Sequence, residues 1–129
     1  MRVLPFPCIR PVPERAAAVA ALPYDVFDRV EAAAYVKDRP RSFLNIDRPE
    51  TQFPPEQDMY AAEVYERGAA LLRERIADGT FVEDCNRAYY IYELAWQGHV
   101  QTGLVGVCAI DEYENGTIKR HELTRAEKE

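Results

Sequence analysis

What this chain lacks narrows its possibilities first. No stretch approaches the roughly 20 consecutive apolar residues that a membrane span needs. The opening MRVLPFPCIRP is broken by prolines before a signal-peptide core could form, so it reads as mature sequence. Cysteine is sparse: Cys8, Cys85 and Cys108 are widely spaced and form no CxxC pair. That argues against zinc or thiol exchange and suits reduced, buried structural thiols in a cytoplasmic protein. The two histidines are too few for a dedicated metal site. His121-Glu122 opens like a zinc-protease HExxH, but Arg125 stands where the second histidine ligand belongs. Positive charge is also in deficit, with 16 Lys and Arg against 22 Asp and Glu and a formal net charge of -6. Such a surface is repelled by phosphate backbones and anionic lipid, which argues against nucleic acid and membranes as partners. There is no internal repeat and no low-complexity tract.

What is present is an ordinary globular balance. The 129 residues are 47% hydrophobic and 29% charged, enough for one domain with a real core and short for two. Residues 2–9 carry apolar side chains among prolines, so an edge strand or an extended arm is expected. Pro13 suits the first position of a helix that Pro23 must end. Asp28 and Glu31 form a capping-box pair for a second helix, closed before Pro40. The short apolar run SFLNI (42–46) reads as a strand, and RPETQFPPEQ as a proline-rich loop. Ala61, Val64, Gly68, Leu71, Leu72 and Ile76 recur at three and four residues, predicting a long helix over 58–77 that Gly79 ends.

The period then changes. AYYIYELAW and HVQTGLVGVCAI are β-rich and joined by Gln97-Gly98, which predicts a hairpin. Gly103 and Gly106 in its second arm leave room for a close neighbour or mark a bulge. DEYENG reads as a turn and TIKRH as a last short strand. The expected fold class is α+β, a mixed sheet with helices packed on one side.

Chemistry-bearing residues concentrate at the end of the chain. Asp25 in LPYDVF reads as a turn-former, and His99 as a strand-face histidine. Tyr89, Tyr90 and Tyr92 lack the neighbouring cations that a base-stacking platform needs, so they read as core and rim. By contrast Lys119, Arg120, Arg125 and Lys128 crowd into ten positions. They bracket the Thr124–Glu127 capping box, where the free amides and dipole of a helix start favour an anion. The plain alternative is a charge-balanced helix end, since Glu122, Glu127 and Glu129 offset most of that charge.

HELTRAEKE resembles the HENTRADKE motif of the domain-of-unknown-function 1015 family, with Leu123 where an Asn is usual. LPYDVF, RSFLNIDRPE, DMYAAEVYERGAALL, ADGTFVED, YYIYEL and QTGLVG resemble that family's N-terminal blocks. The resemblance implies that 1–129 is a single N-terminal domain truncated from a longer chain, whose uncovered sheet edges let it self-associate. It implies a ParB/sulfiredoxin-like fold and a nucleotide or small-molecule ligand. Carried over, Thr124, Arg125 and Lys128 would bind phosphate, while Glu122 or His121 would act as general base or assist magnesium. ATP or another nucleotide with magnesium is the cofactor this implies, in a small-molecule phosphotransferase. The GxRR-type box of partition proteins is missing, which argues against a chromosome-partition role. The alternative is a non-catalytic protein–protein interaction module.

Overall fold

A computed structural model describes residues 1–119 of the chain. The described residues fall into two units. One comprises residues 9–83; the other joins residues 1–8 to the chain from Asp84 onward.

In the unit of residues 9–83, helix α1 (Pro13–Val19) starts on its proline as expected. It ends earlier than Pro23 requires, because the Val19 carbonyl accepts the Phe43 amide at 2.7 Å instead of continuing the helix. Helix α2 (Arg29–Lys37) opens on the complete capping box: the Glu31 amide donates to Asp28 Oδ1 and the Asp28 amide to Glu31 Oε2. Its buried residues Ala32 and Val36 meet Leu44, with Phe27 and Tyr35 packed against them.

The SFLNI segment corrects its strand reading. Residues Leu44–Asp47 form a single helical turn, α3. The Asn45 side chain donates to the carbonyls of Arg39 and Ser42, and Ser42 Oγ accepts the Leu44 amide. These local bonds stabilise a turn where the apolar run alone cannot separate strand from helix. A 3-10 turn, Pro49–Gln52, follows.

Helix α4 (Ala62–Ala77) starts later than its sequence pattern suggests. Asp58 accepts the Tyr60 amide in a local turn, so it does not cap the helix. Its buried stripe is Val64, Gly68 and Leu71, whereas Ile76 is exposed. A Cβ at Gly68 would meet the Ile46 carbonyl oxygen and Pro49 Cγ at 3.2 Å, which explains the small residue on this face. Gly79, at φ +71°, ends the helix. Two short strands, β2 (Ile9–Pro11) and β3 (Phe81–Glu83), close the unit as an antiparallel ladder.

In the other unit, β1 (Val3–Leu4) pairs with β6 (Val107–Cys108), and Phe6 bridges Ala88. The hairpin is as predicted: β4 (Tyr90–Trp96) and β5 (His99–Val105) pair in full register. Its two-residue turn places Gln97 at φ +48° and Gly98 at φ +82°, the signs a type I′ turn demands. DEYENG is not a simple turn, because Ile110–Glu114 form a short helix, α5, ended by Gly116. Residues 117–119 of TIKRH are not strand, and its last two residues lie outside the described ones.

The described chain is thus α+β, but every ladder in it is antiparallel, where the sequence reading expects a mixed sheet. Cys85 and Cys108 are exposed rather than buried, the first in a bend after β3 and the second on a two-residue strand. Among the described residues no helix is long and apolar enough to cross a membrane.

Of Gly103 on β5 and Gly106 between β5 and β6, only Gly106 meets a close neighbour. A Cβ there would lie 2.6 Å from Val3 Cγ1 and 3.1 Å from the Leu4 carbonyl oxygen. Gly106→Ala should therefore lower stability by about 1–3 kcal/mol in urea unfolding, whereas Gly103→Ala, with its nearest neighbour at 3.8 Å, should leave it near the parent value.

Candidate functional site

The residues assigned to chemistry from the sequence, His121, Glu122, Thr124, Arg125 and Lys128, lie outside the described residues. The described chain ends at Lys119, the first cation of that cluster. The remaining sequence candidates are placed. Asp25 sits in an exposed 3-10 turn, Tyr24–Val26, and His99 is exposed on β5. Tyr89 donates its hydroxyl to the Val3 carbonyl, and Tyr92 is exposed.

Tyr90 is the structural member of the tyrosine run. Its hydroxyl oxygen accepts the Cys8 amide at 2.8 Å and lies 2.9 Å from Asp84 Oδ2 and 3.2 Å from the Phe6 carbonyl. Desolvation, with added help from the Asp84 hydrogen bond and charge, pushes its phenol above the ordinary tyrosine range. The group therefore stays protonated and donates across the neutral range. It latches the N-terminal arm to the hairpin and is not poised as a base.

Two charged constellations in the residues 9–83 unit were not singled out from the sequence. In the first, Arg48 is buried and pairs through Nε with Glu50 Oε1 at 2.5 Å. Its Nη1 donates to the carbonyls of Tyr24 and Phe27 at 3.1 and 2.9 Å. One guanidinium therefore holds the Tyr24 and Phe27 carbonyls of the LPYDVF turn, leaving the Tyr24, Asp25 and Val26 side chains on the surface. The RPE tripeptide (48–50) carried this signal only as part of a proline-rich loop.

The second gathers Arg15, Arg41 and Arg75 around Asp78 and Thr80. Arg15 Nη1 and Arg41 Nη1 donate to Thr80 Oγ1 at 2.7 and 3.1 Å. All three guanidiniums approach the Asp78 carboxylate, at 3.4, 3.6 and 3.4 Å. Hydrogen bonds from the Thr80 side chain and backbone, then the charges of Arg15 and Arg75, hold that carboxyl below the ordinary aspartate range. No sequence spacing joins positions 15, 41 and 75; the fold alone brings them together. Among the described residues no group of three or more His, Cys, Asp or Glu side chains could hold a metal ion.

The buried pair is the constellation that tests the turn. With Glu50 only 3% exposed, Glu50→Gln leaves the Arg48 charge buried without its counter-charge. Stability should fall by about 3–5 kcal/mol, read as a lower urea midpoint at pH 7.

A model of the family described as "Protein of unknown function (DUF1015)" matches residues 3–129, which takes in the LPYDVF turn, the Arg48–Glu50 pair and the 121–128 motif. No curated protein and no solved structure matches the chain. On the strength of that family match across nearly the whole sequence, the chain belongs to the DUF1015 family.

Proposed function

We propose that this chain is a ParB-like, nucleotide-binding N-terminal domain of a small-molecule phosphotransferase, gripping phosphate groups at residues 121–128. The observation that carries the reading is the crowding of Lys119, Arg120, Arg125 and Lys128 around a capping-box sequence pattern, in a chain of net charge -6. Helix-start amides and guanidinium groups suit phosphate oxygens, which accept several charge-assisted hydrogen bonds at once. In this reading Thr124, Arg125 and Lys128 hold the phosphates of ATP or another nucleotide with magnesium. Glu122 or His121 takes the proton from the acceptor hydroxyl. The ParB/sulfiredoxin-like shape rests on the family resemblance, and the α+β composition of the described residues is compatible with it.

The test is thermal unfolding of this chain with ATP, ADP or CTP, each with magnesium. A ligand at about 100 times its dissociation constant should stabilise the chain by roughly 2.7 kcal/mol. Arg125→Ala and Lys128→Ala should remove that response. No stabilisation by several millimolar of any nucleotide, or an unchanged response in both variants, overturns the proposal.

A second reading, a non-catalytic interaction module that pairs with its own second copy, is favoured by the β4–β5 hairpin. Apolar side chains stand exposed on both of its faces: Tyr92, Leu94 and Trp96 on one, Ile91, Val100 and Leu104 on the other, with Trp96 68% and Ile91 69% exposed. Sedimentation should then show concentration-dependent dimers that Trp96→Ser together with Leu104→Ser converts to monomers. A parent chain that stays monomeric at high concentration removes this reading.

A further inference from the structure

The second constellation lies in the residues 9–83 unit and is built from residues other than those named in the 121–128 motif. Its composition is unbalanced. Among the described residues, Asp78 is the one carboxylate in ion-pair contact with Arg15, Arg41 or Arg75. Three positive charges thus face one negative charge. A purely structural clamp at the end of α4 would need one guanidinium, and each added cation repels those already there.

The pairing is also loose. Charge-assisted N–H···O bonds settle near 2.7–2.9 Å, yet the three contacts to Asp78 are 3.4–3.6 Å. The close contact to that carboxylate comes instead from the Thr80 amide, at 2.8 Å. Asp78 is committed to its own turn and only partly neutralises the arginines.

The guanidiniums are nonetheless held in place. Arg15 Nη1 donates to the Asp78 carbonyl and to Thr80 Oγ1, which is also bonded by Arg41, and Arg75 Nη2 donates to the Pro40 carbonyl at 2.6 Å. Every one of these bonds from Arg15 and Arg41 uses Nη1. Their Nη2 and Nε donors have no partner among the described residues. The side chains are 37%, 43% and 19% exposed for Arg15, Arg41 and Arg75, so a solute can reach them. Fixed, accessible forks with spare donors are suited to a tetrahedral oxyanion, whose oxygens can engage several guanidiniums at once.

We infer that Arg15, Arg41 and Arg75 form a binding site for a phosphate dianion, either inorganic phosphate or the terminal group of a phosphate monoester, with Asp78 as its built-in competitor. The dianion supplies the charge that Asp78 leaves unmatched. Asp78 sets the affinity by repelling the same ligand that the arginines attract.

The test is titration of this chain with inorganic phosphate and with phenyl phosphate at constant ionic strength. Binding is read by the NMR signals of the arginine Nε–Hε groups. Saturable shifts at Arg15, Arg41 and Arg75 are expected, with no equivalent shifts from chloride. Arg41→Gln and Arg75→Gln should each weaken binding about tenfold, equivalent to about 1.4 kcal/mol. Asp78→Asn should tighten it severalfold, a gain that misfolding cannot imitate. Arg125→Ala should leave the affinity unchanged, which separates this site from the 121–128 motif. Tighter binding of phenyl phosphate assigns an organic monoester, and equal binding assigns the free ion. Phosphate shifts no larger than those of chloride, or Asp78→Asn binding no tighter than the parent, overturns the proposal.

Discussion

A buried guanidinium sets the terms for the residues 9–83 unit. Removing a charge from water costs several kcal/mol unless its donors are met. Arg48 meets that requirement with one carboxylate and two backbone carbonyls, all from the same unit. The arrangement obliges the LPYDVF turn, the end of α3 and the 3-10 turn after it to keep one geometry. Around it lies a small apolar core, Ala32, Val36 and Leu44, joined by buried polar residues that are all hydrogen-bonded. Small side chains bury little surface, so directional polar contacts specify what hydrophobic burial alone leaves loose.

The unit containing the hairpin is organised differently. All of the chain's buried apolar residues among those described belong to residues 9–83. The hairpin unit relies on backbone ladders, the Tyr90 hydroxyl and the close approach at Gly106. Ladders satisfy amides and carbonyls but supply little of the non-directional burial that dominates stability. A hairpin apolar on both faces is therefore a surface with unspent hydrophobic free energy. That supports the interaction reading independently of any phosphate chemistry.

Electrostatics links the two phosphate proposals. A net charge of -6 disfavours anions at long range, but the local potential is set by the nearest charges within a Debye length of about 8 Å at physiological salt. Cations in this chain gather locally. One group is contiguous in sequence around 119–128; the other is assembled from positions 15, 41 and 75. An acidic surround also repels adventitious polyanions, and both proposals accordingly name a small phosphate ligand rather than a nucleic acid.

The features written locally in the sequence were legible there. The capping box at Asp28 and Glu31, the proline start of α1, the Gly79 stop and the Gln97-Gly98 hairpin each depend on residues a few positions apart. The family was legible for a related reason, since blocks of residues keep their order along the chain. SFLNI misled because a five-residue apolar run fits strand and helix alike, and the Asn45 and Ser42 bonds decided between them. The β1–β6 and β2–β3 ladders, the Arg48 pivot and the arginine cluster belong to tertiary structure alone. Their partners are separated by up to about a hundred residues, and only folding converts that separation into contact. Sequence thus marked several of the starts and stops of helices and turns, because those rules act through nearest neighbours. Tertiary structure decided which charges share a carboxylate and which apolar faces stay bare, because those depend on distances that no local rule controls.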